Sequence, residues 1–308
     1  MKDALDKPFG DIFQPDDEGL AAKAGHPPAP FVETGGSGGA LLFTAPHAGR
    51  HYPPELLSRT RLSIERLRRL EDPLIDVLIG PAAAAGTTTI AGTYARAWID
   101  LNRRETEMDA RQMTPAPPAH ADHRSPRVSA GLGLVPRTAG DGRPIYDQLL
   151  PLEAVTARIR QVHRPYHHRI AQVLAEKHAR NGIAMLCDMH SMPSLPPSQA
   201  ADVVIGDRHG RTCGSWLTDA AHNWLTENGL RVTRNQPYAG GHGVERHGSP
   251  ANAVHALQFE FDRRLYLNLD NVSLNAHAAS LSMIIAGLAA MLHGLLAGAA
   301  DAHRLAAE

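Results

Sequence analysis

The feature that most constrains this chain is an alternation. Short apolar runs at 40–45, 87–91, 183–187, 202–205, 230–233 and 256–261 are separated by longer stretches of helical spacing at 62–85, 152–180 and 211–228. Strands and helices in turn imply an α/β fold with a largely parallel sheet. The clearest helix is 152–180, where Leu152, Val155, Ile159, Val162, Tyr166, Ile170 and Val173 recur at three- and four-residue steps and make one apolar face. In such sheets ligands bind beyond the carboxyl ends of the strands. Chemistry is therefore expected just after each apolar run.

Composition narrows the class. Hydrophobic residues are 43% and charged residues 20% of 308, which is enough apolar content for a packed core. A formal charge of −1 leaves no basic excess for phosphates, so nucleic acid is not an expected partner. Cys187 and Cys213 are the only cysteines, too few for a disulfide framework, and point to a reducing, cytoplasmic setting. The opening MKDALDKPFGDIF has no apolar core of a signal peptide. The segment 279–299 is long enough to span a bilayer, but it is rich in Ala, Gly and Ser, carries His293 and has no flanking basic cluster. A terminal helix buried against the sheet is the preferred expectation, and a membrane association is not expected.

Residues 1–38 are rich in Pro, Gly and charge, end in GGSGG, and read as an arm with little regular structure. Residues 39–300 read as one α/β domain. Within it 114–142, at the centre of a 110–145 insertion, is too long for an ordinary connection and carries His120, His123, Arg124, Arg127 and Arg137. It reads as a cover over the site, with a disordered loop as the alternative.

Four places after apolar runs carry candidate chemistry. In Pro46-His47-Ala48-Gly49, His47 leaves a strand end and Gly49 allows a turn; a histidine there, taken alone, is more often a structural turn residue than a metal ligand. In Asp188-Met189-His190-Ser191, Asp188 and His190 share one side of an extended chain. That suits a ligating imidazole with a carboxylate fixing its tautomer, or else a polar network at a strand end. Glu260 interrupts an apolar strand between Phe259 and Phe261 and shares a side with Gln258 and Asp262. A carboxylate so placed needs a partner or its pKa rises, which suits a general base; a salt bridge to an arginine is the other role open to it. Arg96, Asn102 and Arg103 flank Trp98-Ile99-Asp100-Leu101, and such groups at a strand end hold carboxylates by forked hydrogen bonds or form a solvated basic edge. Two histidines, a late acid and an Asn-Arg pair in these positions suit a metal-dependent hydrolase with an open coordination position.

The blocks PHAGRHYP (46–53), EDPLID (71–76), RAWIDLNR (96–103), HRPYH (163–167), DMHSMP (188–193), DVVIGDRHG (202–210), NQPYAGGH (235–242) and HALQFEFDRRLY (255–266) resemble, in order, those of the N-formylglutamate amidohydrolase family, over about 41–267. A remoter similarity is to zinc carboxypeptidases and aspartoacylase-like deacylases. The resemblance implies their fold, a mixed, mainly parallel sheet sandwiched by helices, and a Zn²⁺ ion held by His47, His190 and a carboxylate. The remote relatives take that carboxylate from a Glu three residues after the first His, where this chain has Arg50. Asp72 is the preferred replacement, with Asp76 and Glu71 as alternatives. Glu260 is then the general base, Arg96, Asn102 and Arg103 bind substrate carboxylates, and Tyr238 and His242 in a closing segment are further substrate contacts or parts of a simple turn. The implied reaction is cleavage of N-formyl-L-glutamate to formate and L-glutamate. Hydrolysis of another N-acyl amino acid or small peptide is the alternative within the class, and a metal-binding protein without catalysis the alternative outside it.

Overall fold

Period-two alternation sets the architecture. The computed structural model describes residues 27–36 and 38–305. Nine strands occur among them: β1 (Phe31–Thr34), β2 (Leu41–Ala45), β3 (Thr88–Gly92), β4 (Met113–Thr114), β5 (Leu150–Pro151), β6 (Ala184–Met192), β7 (Val203–Gly206), β8 (Val232–Arg234) and β9 (Val254–Asp262). Seven form one sheet in the order β1-β3-β2-β6-β9-β7-β8, and β4 pairs with β5 separately. The pairs β2/β3, β2/β6, β6/β9 and β7/β8 are parallel, whereas β1/β3 and β7/β9 are antiparallel. The sheet is thus mixed and mainly parallel.

Helices cover both faces. Alternate residues Leu41, Phe43, Met185, Cys187, Leu257 and Phe259 face one apolar layer, packed by α3 (Ser215–Glu227) and α5 (Ala278–Leu305). Leu42, Leu186 and Ala256 face the other layer, against α1 (Leu152–Arg158) and α2 (Arg164–Asn181). Val155, Ile159, Val162, Tyr166, Ile170 and Val173 are all buried there, so the apolar face read from the sequence is the face that packs. A single π-helical turn, Ile159–His163, joins α1 to α2. Along α5, Leu281, Ile285, Leu288, Leu292 and Leu296 are buried at three- and four-residue steps, each fully buried leucine contributing roughly 1.5–3 kcal/mol. The stretch Ala278–Asp301 is long and apolar enough to cross a membrane, yet this face of it is part of the core.

Three expectations need correction. Residues 1–26 lie outside the described residues, but the remainder of the expected irregular arm contains β1, an edge strand held antiparallel to β3. The stretch 62–85 is not one helix. It breaks into Ile64–Leu67, Arg68–Leu70, Ile75–Leu78 and Gly80–Ala84, because Pro73 has no N–H to donate and Leu74 takes a left-handed φ of 58°. Gly49 does not serve a turn: a side chain there would overlap the Tyr94 carbonyl oxygen, so glycine is required by close backbone approach. The 114–142 segment has order of its own, with a short helix Pro126–Ser129 and with Val128, Leu134 and Val135 buried in the core.

Candidate active site

The second apolar layer ends where the strands outrun α2. On that face β2 continues from Leu42 to Thr44, β6 from Leu186 to Asp188 and His190, and β9 from Ala256 to Gln258 and Glu260. Register aligns Thr44 with Asp188, Asp188 with Gln258, and His190 with Glu260. The polar residues therefore form one row across three adjacent strands and a second across two, and His190, Gln258 and Glu260 of these rows line a cavity of about 230 Å³.

His47 follows β2 by two residues, and its carbonyl accepts the Asp72 N–H at 3.0 Å. This contact brings the break before Ile75–Leu78 to the strand ends. Asp72 Oδ2 lies 3.2 Å from His47 Nδ1 and 2.8 Å from His190 Nδ1. The three residues each offer a ligand atom within 4.8 Å of the others, and all three are buried, so together they could hold a metal ion. Behind them, each ring is fixed by a second carboxylate. His47 Nε2 donates to Asp100 Oδ1 at 2.7 Å, and His190 Nε2 donates to Asp188 Oδ2 at 3.0 Å. Thr44 Oγ1 in turn donates to Asp188 at 2.7 Å. Both rings are thereby held with Nδ1 toward Asp72.

Charges follow from this packing. Burial alone would push the Asp72 carboxyl up, but hydrogen bonds from His190 and His47 outweigh it and hold it well below the usual range. Burial opposes charge on His190 too, yet Asp188 and Asp72 raise its pKa well above 6.5. Arg96, Arg103 and His47 likewise overcome burial to hold Asp100 low. A cluster that keeps a proton so tightly between its acids is a place where positive charge belongs. Glu260 departs from this pattern. It keeps part of its surface open to the cavity but sits deep among protein atoms, and burial raises its pKa, assisted by Asp72. Its one hydrogen bond shown is from Gln258 Nε2 at 2.8 Å.

The other candidates divide. Arg96, Asn102, Arg103 and Tyr238 all line the cavity. Arg96 Nε donates to Asp100 at 2.8 Å, and Arg103 donates to the carbonyls of Leu132 and Asn102. The Asn102 amide is largely engaged within the protein: its oxygen accepts from Gly243 N at 2.7 Å, and its nitrogen lies 3.2 Å from His190 Nε2 and donates to Gln258 Oε1 at 3.4 Å. His242 does not face the cavity. Gly241 lines it, but the first turn of α4 (His242–His247) carries the His242 ring to the other side, among His163 and His167. Of the alternatives to Asp72, Asp76 is held by both terminal nitrogens of Arg50 at 3.1 and 2.7 Å, and Glu71 accepts from Tyr52. Neither joins the cluster. Arg50 thus occupies itself with Asp76 while Asp72 reaches the histidines from a different segment.

Sequence reasoning missed Asp100 as the partner of His47, and gave no role to Arg69, Arg127 and Arg263, which also line the cavity. Asp100 carried a signal of the same kind as Glu260, a lone acid in the apolar run Ala97-Trp98-Ile99 before Leu101. Arg127 comes from the expected cover segment.

A buried acid whose raised pKa suits it to take up a proton, facing two imidazoles across a space walled by arginines, can take that proton from water attacking the carbonyl of an anionic substrate and return it to a leaving group. The class is a hydrolase. Sequence comparison specifies it further: residues 39–267 match the N-formylglutamate amidohydrolase family, and the chain belongs to that family. It is 30% identical over 237 residues to an N-formylglutamate deformylase of Pseudomonas aeruginosa, covering 74% of this chain and 82% of that protein. It is 29% identical over 236 residues to one from Pseudomonas putida, covering 74% and 81%. The crystal structure of an N-formylglutamate amidohydrolase from Ralstonia eutropha superposes with a TM-score of 0.80 at 31% identity, over 87% of this chain and 98% of that one.

Proposed function

We propose that this chain hydrolyses the amide bond of N-formyl-L-glutamate, releasing formate and L-glutamate, with a Zn²⁺ ion held by His47, Asp72 and His190. The relatives named above support the substrate, and the convergence of two Nδ1 atoms and one carboxylate oxygen carries the metal reading. The donor set fits the ion: two imidazoles and one carboxylate leave a position open, and each distal ring nitrogen has the carboxylate partner that ligating histidines usually have. When bound, zinc supplies Lewis acidity, polarising the acyl carbonyl and lowering the pKa of water.

The remaining steps fall to the chain's own residues. Arg96 and Arg103 bind the substrate carboxylates by their guanidinium groups, and Asn102 positions Gln258 and the Gly241–Gly243 backbone beside them. Arg127 reaches the cavity from the cover segment and adds a cation where a second carboxylate needs one. Tyr238 closes one wall. Glu260, held by Gln258, removes a proton from the attacking water and delivers it to the amide nitrogen as the C–N bond breaks, so that water's oxygen ends in formate and its protons are shared with the amine product.

A panel of N-formyl, N-acetyl and N-succinyl derivatives of glutamate, aspartate, glutamine and leucine, assayed with zinc present, tests the reading. Turnover should be highest for N-formylglutamate and fall at least tenfold when the side-chain carboxylate is replaced by an amide, since a charge-assisted hydrogen bond contributes roughly 1.5–3 kcal/mol. Equal turnover of the leucine derivative would remove the acidic-substrate assignment.

A further inference from the structure

Two sequence blocks have no part in the reaction above: the His163 to His167 pair of HRPYH and the His242 that ends NQPYAGGH. They meet behind the substrate-binding segment. His163 is the last residue of the π-helical turn and His167 follows it by one turn of α2, so both rings leave the helix on the same side. Their centroids are 4.5 Å apart, and the His242 ring lies 6.0 Å from His163 and 5.1 Å from His167. One ring nitrogen from each of the three falls within 4.8 Å of the others.

The hydrogen bonds decide which lone pairs are available. His163 Nε2 donates to the Arg103 carbonyl and His167 Nε2 to the Leu101 carbonyl, each at 2.8 Å. A neutral imidazole that donates from Nε2 keeps its lone pair on Nδ1. His163 Nδ1 is buried without a hydrogen bond, with Glu105 Oε1 3.7 Å away. Both nitrogens of His242 are buried and without a hydrogen-bond partner. His167 Nδ1 has one competitor, His247 Nε2 at 3.0 Å. Backbone carbonyls on the distal nitrogens are a common way of orienting ligating histidines. Burial pushes His167 well below its usual range and His242 down to about 4.

We propose that His163, His167 and His242 form a second site, for a borderline divalent cation of the zinc type, which clamps the 101–103 segment from behind. Its three ligands are neutral nitrogens with no carboxylate among them, and around His242 the positive potential of Arg246 and Arg104 is only partly offset by Glu245. The site therefore binds more weakly than the acid-rich cluster at His47 and His190 and fills after it. Occupancy ties together α2, α4 and the segment that presents Asn102 and Arg103 to the cavity.

The test is zinc titration of the metal-free full chain, with bound zinc measured by elemental analysis after removal of free metal, for the wild type, His190→Gln and His242→Gln. The wild type should take up two equivalents in two steps, His242→Gln one at the tighter step, and His190→Gln one at the weaker step. If His190→Gln binds no zinc, or His242→Gln still binds two equivalents, the second site does not exist. If His242→Gln fails to fold, the wild type and His190→Gln decide alone. Zinc retained by His190→Gln but absent from His242→Gln would instead leave the second site standing and overturn the catalytic one.

Discussion

Two histidine clusters lie on opposite sides of the segment 101–103, and their electrostatics are opposed. At the cavity floor, His190 is wrapped by Asp72 and Asp188, which lift its pKa well above the ordinary value. Behind the segment, burial and neighbouring Arg246 push His242 down to about 4 and His247 down to about 3. The residue type is the same. The difference lies in what surrounds each ring: carboxylates in one case, desolvating protein and neighbouring cations in the other. A histidine's spacing in a sequence therefore says little about its charge, whereas the acids and arginines around it say much.

The comparison can be broken at several points. The largest effect belongs to the one acid that is neither paired with a ring nor bound by an arginine among the hydrogen bonds of the site. Glu260→Gln keeps the size of the side chain and removes the base. Turnover should fall roughly 10²–10⁴-fold, with zinc content and melting temperature little changed. If activity survives, proton transfer lies elsewhere. A smaller effect is expected at Asp100, which holds the His47 ring by a 2.7 Å bond without facing substrate. Asp100→Asn should weaken zinc affinity or activity about 10–100-fold; an unchanged zinc isotherm would show that the ring needs no such partner.

The smallest effect sharpens the comparison through pH. His242 and His247 have folded pKa values below the unfolded value near 6.5, so the unfolded chain binds more protons between about 3 and 6.5. Their contribution to stability is complete above pH 6.5 and is lost as pH falls toward 4. His190, with a raised value, acts in the other direction in the metal-free protein: its contribution is present at low pH and is lost as pH rises through the folded value. Thermal melts of metal-free protein from pH 7 to 4.5 should show the wild type losing more than His242→Gln, by a few degrees. Parallel curves would mean that the second cluster is not held neutral.

Much of this was legible in the sequence, for physical reasons that can be named. Five of the six apolar runs are strands buried on both faces but for Glu260, the sixth is the half-buried edge strand β8, and the helical face from Val155 to Val173 packs as its spacing indicates. Asp188, His190, Gln258 and Glu260 could be assigned to one side because strand alternation is strict, and register confirms the row. β1 was not legible, since an edge strand of four half-buried or exposed residues has no apolar signature. Nor was the destination of His242. Gly241 precedes it and Asn102 packs against that glycine so closely that any side chain would overlap it. The direction in which the next residue leaves depends on that tertiary contact, which no local pattern encodes. The Asp100 to His47 bond spans 53 positions and is invisible to any periodicity.

The account rests on a cation shared by His47, Asp72 and His190 and needed for hydrolysis. Its most direct test is to remove metal with a chelator, assay N-formyl-L-glutamate hydrolysis, and add zinc back. Activity should disappear with the metal and return with about the first equivalent restored. Full turnover by protein shown to be free of metal would contradict it.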